Sequence, residues 1–553
     1  MKNKLNYRDI FKLTIVSVMA LAIILSSCTT PTPTVTEPGV ATSVPPTSVP
    51  ATAVPATAVP PTAVPPTAPP AEPKVLKIRL YGDIQVLDPA FYVSANDKVV
   101  GTNIYSGLVT YGANSYDIVN DLAESIATSD DGTVITFKLK EGVQWQNGYG
   151  EVTTEDVKFS YERFIDPELK ASYADDWAQL DHVEIIDKYN GKIILKGPFA
   201  PIWHSTLPVT AGWVLCKKYA EAVGLEGLAT KPVGSGPYIL SEWLPKQQVT
   251  LTRNPDYFGT QPYYDEIDFI PIEDDKAAEI AMEAGELDFS QVSIDSYERF
   301  SSDSTFTTVK VPNIRFSWIG LNVENPKLAD INVRLAIRYG VDVQSILDAA
   351  YFGLVDRELG LIAPGLVGYW PDAPRYERDV EKAKEYLAKA GLTSLDIRFD
   401  ILNTTEYQTW AQVVQQNLKD VGINITINPM DSASFWSLGD GDKGKDAEMF
   451  GINYSMEPDP SWATVWFTTP QIGIWNWMRW SSTEYDQLHQ EGLTTLDNAK
   501  RTEIYIRMQQ LFDEAAHTIW ISHGNLVFVN KPSINVAMTP NGVIQPRFFS
   551  GTP

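Results

Sequence analysis

Sixty-nine carboxylates, five histidines and two cysteines are the groups through which this 553-residue chain could do chemistry, and their spacing speaks against a reaction. There is no His-Glu-x-x-His pair, no Gly-x-Ser-x-Gly elbow and no Gly-x4-Gly-Lys-[Ser/Thr] phosphate loop. His182, His204, His489, His517 and His523 are scattered without the spacing that gathers imidazoles on one metal. Asp440, Asp442, Asp446 and Glu448 have the charge for calcium. They lack the loop glycine and closing bidentate Glu of an EF-hand, so they read as a solvated turn. Gly234-Ser235-Gly236, set between Pro232 and Pro237, is a tight turn and no phosphate cradle. Spacing alone leaves open a carboxylate pair for glycoside hydrolysis. No cofactor or metal is implied.

The remaining reactive group is the Cys28 thiol. Lys2, Lys4, Arg8 and Lys12 precede an apolar run from Leu13 to Leu25, closed by Leu25-Ser26-Ser27-Cys28. A basic start, a short apolar core and small residues at the cut describe an export signal. The run is too short for a comfortable membrane span of about 20 residues. Leu-Ser-Ser-Cys resembles a bacterial lipobox, in which the cysteine is diacylated and becomes the new N-terminus. That predicts residues 1–28 as a lipoprotein signal peptide and a product held outside the cytoplasm on the cell membrane, in the periplasm if there is an outer membrane.

Residues 29–73 are a loose repeat of Thr, Ala, Val and Pro. Proline removes backbone donors and favours polyproline II, and this composition cannot bury enough surface to offset ordering entropy. At ~3.1 Å per residue, the tether holds the folded part on the order of 100 Å from the bilayer. The net charge of the chain is −25; the signal carries +3 and the tether −2, so the folded part is near −26. That disfavours nucleic acid and anionic lipid surfaces as partners. After Cys28 only Cys216 remains, so no intrachain disulfide forms, and Cys216 in Ala-Gly-Trp-Val-Leu-Cys reads as a buried small hydrophobe.

The elements that position any site mix strands and helices. Val75–Leu80 and Thr133–Lys140 alternate as strands, and Val249 and Leu251 mark another before Asn254-Pro255-Asp256. Helical spacing covers Thr154–Phe164, Val333–Tyr351, Asp379–Ala390, Tyr407–Lys419 and Lys500–Ala516. The fold class is α/β, and 480 residues after the tether are too many for one core.

Several segments then occur in a telling order. Asn103–Leu108, Asp121–Ser125, Thr136–Val143 and Thr154–Ser160 are followed by Pro232–Tyr238, Arg253–Tyr257, Asp330–Ile337 and Glu457-Pro458-Asp459-Pro460. Together they resemble the family 5 extracellular solute-binding proteins of ABC importers, the dipeptide-, oligopeptide- and nickel-binding group. The resemblance implies a two-lobed periplasmic-binding-protein-like fold of type II, with an extra subdomain on the first lobe. Lobe I would gather 74–115, 233–314 and 515–553, its extra subdomain 116–232, and lobe II 315–514. It further implies a monomer that encloses a small molecule or oligopeptide between its lobes and delivers it to permease and ATPase subunits, with no catalysis.

The resemblance points to the loop Ser455–Pro460 as ligand-binding. Peptide-binding relatives hold an Asp two residues before the Pro-Asp-Pro-like element, where it pairs with the peptide ammonium. Met456 stands there in this chain, followed by Glu457, while Asp459 reads as the cap of the next turn. Met cannot make that charge-assisted bond, so Glu457 substitutes or the ligand lacks a free amine. Trp462, Trp466, Trp475, Trp477 and Trp480 crowd beside the loop. An extended Ile474–Trp480 would place Trp475, Trp477 and Arg479 on one face, where indoles pack ordinary cores or stack on sugars and cations. Tyr454 beside the loop, and Trp145 and Trp203 from the first lobe, complete the candidate set. Oligosaccharide or opine-like ligands, an extracellular glycoside hydrolase and an adhesion lipoprotein are the alternatives; dispersed histidines disfavour nickel.

Overall fold

Leu76, Ile78 and Leu80 alternate with Lys77 and Arg79, and strand Val75–Leu80 forms as that period predicts. The computed structural model describes residues 72–92 and 94–552. Cys28, the signal-like run and the tether up to residue 71 lie outside the described residues. Val75–Leu80 runs parallel to Glu266–Pro271 and to Phe289–Val292 in the middle of a seven-stranded sheet. Tyr238–Leu244 and Gln248–Arg253 extend one side, and Asn525–Asn530 and Thr307–Pro312 the other. This sheet is the frame of the first lobe.

A second sheet of five strands frames the other lobe. Its order is Ile423–Met430, Leu395–Leu402, Met449–Tyr454, Phe316–Leu321 and Thr518–Ser522. Phe316–Leu321 is buried along its whole length, as a strand covered on both faces must be. Phe316 and Trp318 face one apolar cluster, Ile319 and Leu321 the other. Helix Thr405–Lys419 packs on the latter side through Tyr407, Trp410, Ala411, Val414 and Leu418. The expected boundary at 514/515 is corrected here. Strand Thr518–Ser522 pairs with Phe316–Leu321, so the second lobe keeps the chain until Ser522.

A separate four-stranded antiparallel sheet, Ala123–Thr128, Val134–Leu139, Asn190–Leu195 and Leu180–Ile185, belongs to the segment inserted after the first helix. Its side chains share one continuous core with the first lobe. The helix expected over Val333–Tyr351 is two helices, Ile331–Gly340 and Val343–Tyr351. Asp342 leaves helical geometry and its carboxylate accepts from Ser345 N, which starts the second helix.

The chain crosses between the lobes twice, at Asn313–Arg315 and at His523–Gly524. The crossings lie side by side: Asn313 N donates to Gly524 O at 3.1 Å. Asn313 Oδ1 accepts from Ile314 N and Arg315 N, and Gly524 N donates to Ser522 Oγ. Gly524 has φ +79°, a conformation that side chains with a Cβ resist. Farther out, Ala200 N of the inserted segment donates to Leu493 O of the second lobe at 2.8 Å.

Candidate functional site

Strand Met449–Tyr454 ends at the face turned to the first lobe, and the loop Ser455–Pro460 follows it. Asp459 fixes this loop from beneath. Its fully buried carboxylate takes two hydrogen bonds from Arg501 Nη2, each 2.9 Å, and one from Ser461 N at 3.0 Å. Burial lowers the Arg501 guanidinium pKa, and Asp459 more than offsets this, holding it above its ordinary value. Asp459 therefore acts as scaffold; the N-cap position of the turn Ser461–Thr464 is Pro460, so the expected cap is replaced by the single bond that Ser461 N donates to Asp459.

Two residues earlier, Glu457 reaches across to helix Ala95–Ile104 of the first lobe, where Lys98 Nζ meets its Oε1 at 2.9 Å. That helix is held by a capping box of Ser94 and Asp97. Burial alone would depress the Lys98 ammonium; Glu457, then Tyr173, hold it above the usual lysine range instead. Asp176, on the turn Ala174–Trp177 of the inserted segment, feels the same pair. Burial first and then the Glu457 charge push its carboxyl well above the ordinary range, against the opposing pull of Lys98.

Aromatic rings form the adjoining wall. Tyr454, 7% exposed, donates through its hydroxyl to Trp475 O at 2.8 Å. Its ring lies 6.3 Å from Trp436, 6.0 Å from Trp466 and 5.8 Å from Trp475. Those three indoles and Trp462 are half-buried. Trp466 Nε1 and Gln471 Oε1 are buried without a hydrogen-bond partner among the described residues. From the first lobe, Tyr111 and Tyr116 pack edge to face at 5.5 Å, and Tyr116 also touches the apolar cluster of the second lobe. Burial, then the Glu457 charge, raises both phenols.

The candidates from the sequence divide accordingly. Tyr454, Glu457 and Trp475 come together on the interlobe face. Met456 lies beside them but is 6% exposed, packed into the second lobe. Trp203 is half-buried in the turn Ile202–Thr206, next to His204, whose carbonyl accepts from the Tyr111 hydroxyl. Burial lowers the His204 imidazole, against the opposing pull of Asp459.

Trp477, Arg479 and Trp145 are placed apart from Tyr454, Glu457 and Trp475. Residues 474–480 form tight turns, because the Asn476 amide donates to the carbonyls of Phe467, Thr468 and Trp480. Trp477, 1% exposed, is driven inward against Phe435, Trp436 and Phe450. Arg479 turns away at φ 54° to pair with Glu324 at 2.6 Å and Gly441 O at 2.9 Å. Trp145 is buried in the inserted segment, where its Nε1 lies 3.4 Å from Asp156. Sequence reasoning missed Lys98, Asp176 and Trp436. A lone Lys on a helix and a Trp in the short helix Ser432–Trp436 carry no local signal of a shared site.

Comparison with known proteins gives the same picture. The sequence model for bacterial extracellular solute-binding proteins, family 5, matches residues 117–473. A probable D,D-dipeptide-binding periplasmic protein of Escherichia coli is 27% identical over 478 residues, 83% of this chain and 91% of its own length. A dipeptide-binding protein of the same organism is 24% identical, covering 76% and 84%. The ABC transporter substrate-binding protein CtaP of Listeria monocytogenes superposes with a TM-score of 0.79 at 23% identity, over 87% of this chain and 99% of that one. The periplasmic binding protein DppA of Helicobacter pylori, in complex with the peptide STSA, gives 0.71 at 25% identity over 86% and 97%. These neighbours are two-lobed binding proteins, and the relatives are binders, not enzymes.

Proposed function

We propose, from the premise that this chain belongs to the bacterial extracellular solute-binding proteins, family 5, that it captures an oligopeptide between its lobes and hands it intact to an ABC importer. The observation that carries this reading is the interlobe face itself. Lys98 of one lobe meets Glu457 of the other beside half-buried Trp436, Trp466 and Trp475. Indole faces hold apolar side chains, and unpartnered Trp466 Nε1 and Gln471 Oε1 offer a donor and an acceptor to a peptide backbone. The names of the relatives, which speak of dipeptides, support the ligand class.

Closing about the paired crossings encloses the ligand and presents both lobes together to the permease, with ATP hydrolysis supplied by the importer's ATPase. The chain acts as a monomer tethered through lipidated Cys28. Replacing Cys28 with Ser should release it from membranes, and a variant that stays bound would remove the anchor from this reading. Ligand identity is tested by mass spectrometry of small molecules freed on denaturing the purified protein. Short peptides support the proposal. Oligosaccharides or opine-like acids would move it to the second reading that the tryptophan wall favours, and a chemically converted ligand would overturn binding as the role.

A further inference from the structure

At the outer edge of the first lobe lies a solvent-open groove of about 830 Å³. That volume falls in the ~300–1,000 Å³ range of small-molecule sites. One wall is the sheet-edge strand Tyr238–Leu244; the other is the inserted segment, through the turn Gln146–Gly148 and helix Lys217–Thr230. In the seven-stranded sheet this strand lies at the opposite edge from Thr307–Pro312, which leads into the first crossing. At ~4.8 Å per strand, the groove is on the order of 30 Å from the crossings. Both walls belong to one continuous core, so closure of the lobes does not part them.

The walls are built before any ligand arrives. The buried Gln146 amide donates to Tyr238 O at 2.8 Å and to Gly236 O at 3.3 Å, and its oxygen accepts from Gly234 N at 3.1 Å. Asp83 fixes the far rim, accepting from Trp243 Nε1 at 3.1 Å and from Lys246 N at 2.7 Å. Buried Tyr219 packs edge to face on Tyr149 at 5.0 Å, and its hydroxyl donates to Lys231 O. Two half-buried rings, Tyr149 and Trp243, are thus set along the groove.

The charged groups left uncommitted are mostly cationic, in a chain whose net charge is −25. The exposed Lys218 and Lys231 ammoniums line the groove and make no ion pair or hydrogen bond among the described residues, whereas the adjacent Lys217 meets Glu155 at 3.1 Å. Exposed Glu242 is the one carboxylate among the described lining residues, and no cation holds it there. Two ammoniums match an acid group, a lone carboxylate accepts from hydroxyls, and flat rings suit the apolar faces of a pyranose. We infer that this groove binds a carboxylate-bearing saccharide, with Lys218 and Lys231 on the acid group, Glu242 on ring hydroxyls, and Tyr149 and Trp243 stacked on sugar faces. The site stands apart from the ligand between the lobes, so the inference goes beyond the oligopeptide reading and does not depend on it.

The test titrates the full chain in a calorimeter with a glucuronate-containing trisaccharide, a neutral glucose trisaccharide and a tri-glutamate peptide. The acidic trisaccharide should bind about three- to tenfold more tightly than the neutral one at low salt, the modest margin that exposed ion pairs give. That margin should shrink as salt rises. Lys218→Gln combined with Lys231→Gln should abolish it while leaving the thermal midpoint and the neutral trisaccharide's affinity unchanged. Trp243→Leu should weaken both saccharides by about two- to tenfold, the worth of a ring contact. Failure of the acidic trisaccharide to bind, or a margin unchanged in the lysine variant, would overturn the site. Tri-glutamate binding as tight as the acidic saccharide's, and lost in the lysine variant, would overturn the saccharide class. None of these results bears on the ligand held between the lobes.

Discussion

Lys98 and Glu457 are 359 residues apart in sequence and 2.9 Å apart in space, each carried by a different lobe. The pair is half-buried and shares its surroundings with Asp176, whose carboxyl is raised by burial and then by the Glu457 charge. Removing Lys98 alone therefore leaves the half-buried Glu457 carboxylate without its cation.

Lys98→Met should weaken closure by about 1–3 kcal/mol, more than the Lys98→Met/Glu457→Gln double variant, which removes the stranded charge as well. Ligand affinity and the radius of gyration from scattering report it. If the double variant is as impaired as the single one, the pair does not act across the lobes as described.

The aromatic wall separates recognition from packing. Trp475→Ala, at a half-buried indole, should lower ligand affinity by about 1–3 kcal/mol and leave thermal stability nearly unchanged. Trp477→Ala empties a fully buried site and should cost about 3–5 kcal/mol of folding stability. The reverse ranking would return Trp477 to the ligand face.

Much of the scaffold was legible because it is local. Alternation over Val75–Leu80 and Thr133–Lys140, and helical spacing after Thr154 and Tyr407, need only neighbouring residues. The ordered segments around Pro232–Tyr238 and Glu457–Pro460 pointed to the right family for the same reason. The site was only partly legible. Tyr454, Glu457 and Trp475 sit near one loop in sequence, but the residues that face them come from far away. Trp477 went astray because its direction is set by the Asn476 amide bonding three carbonyls, a turn that alternation cannot show. Likewise a cavity at the crossings brings together Tyr116, Glu358 and His523 from distant parts of the chain, which no spacing encodes.

Under the binding loop, Asp459 and Arg501 are 0% and 1% exposed. Asp459→Ala strands a buried guanidinium and should cost about 3–5 kcal/mol. Because the same carboxylate starts the turn after the loop, ligand affinity should fall together with stability. Asp459→Asn paired with Arg501→Met should recover much of the stability in denaturant titrations. No recovery in the pair would mean that the loop depends on packing rather than on this ion pair.

The hinge carboxyl supplies a pH signature. Burial, then the neighbouring Asp356 charge, raises Glu358 from 4.5 to about 7. Tyr116, Tyr369 and His523 stand on one side, their phenols raised and imidazole lowered by burial, and Arg338, Arg357, Tyr376 and Asp513 line a pocket with Glu358 on the other. The folded state binds this proton more tightly than the unfolded chain, so the contribution is complete below pH 4.5 and disappears as pH rises through 7. Discounted for the third of the group left exposed, the loss is ~2 kcal/mol across that window. Wild type should therefore lose about that much stability relative to Glu358→Gln between pH 5 and 8, read as the difference between two denaturant midpoints. A stability difference that stays flat with pH would place the titrating carboxyl somewhere other than Glu358.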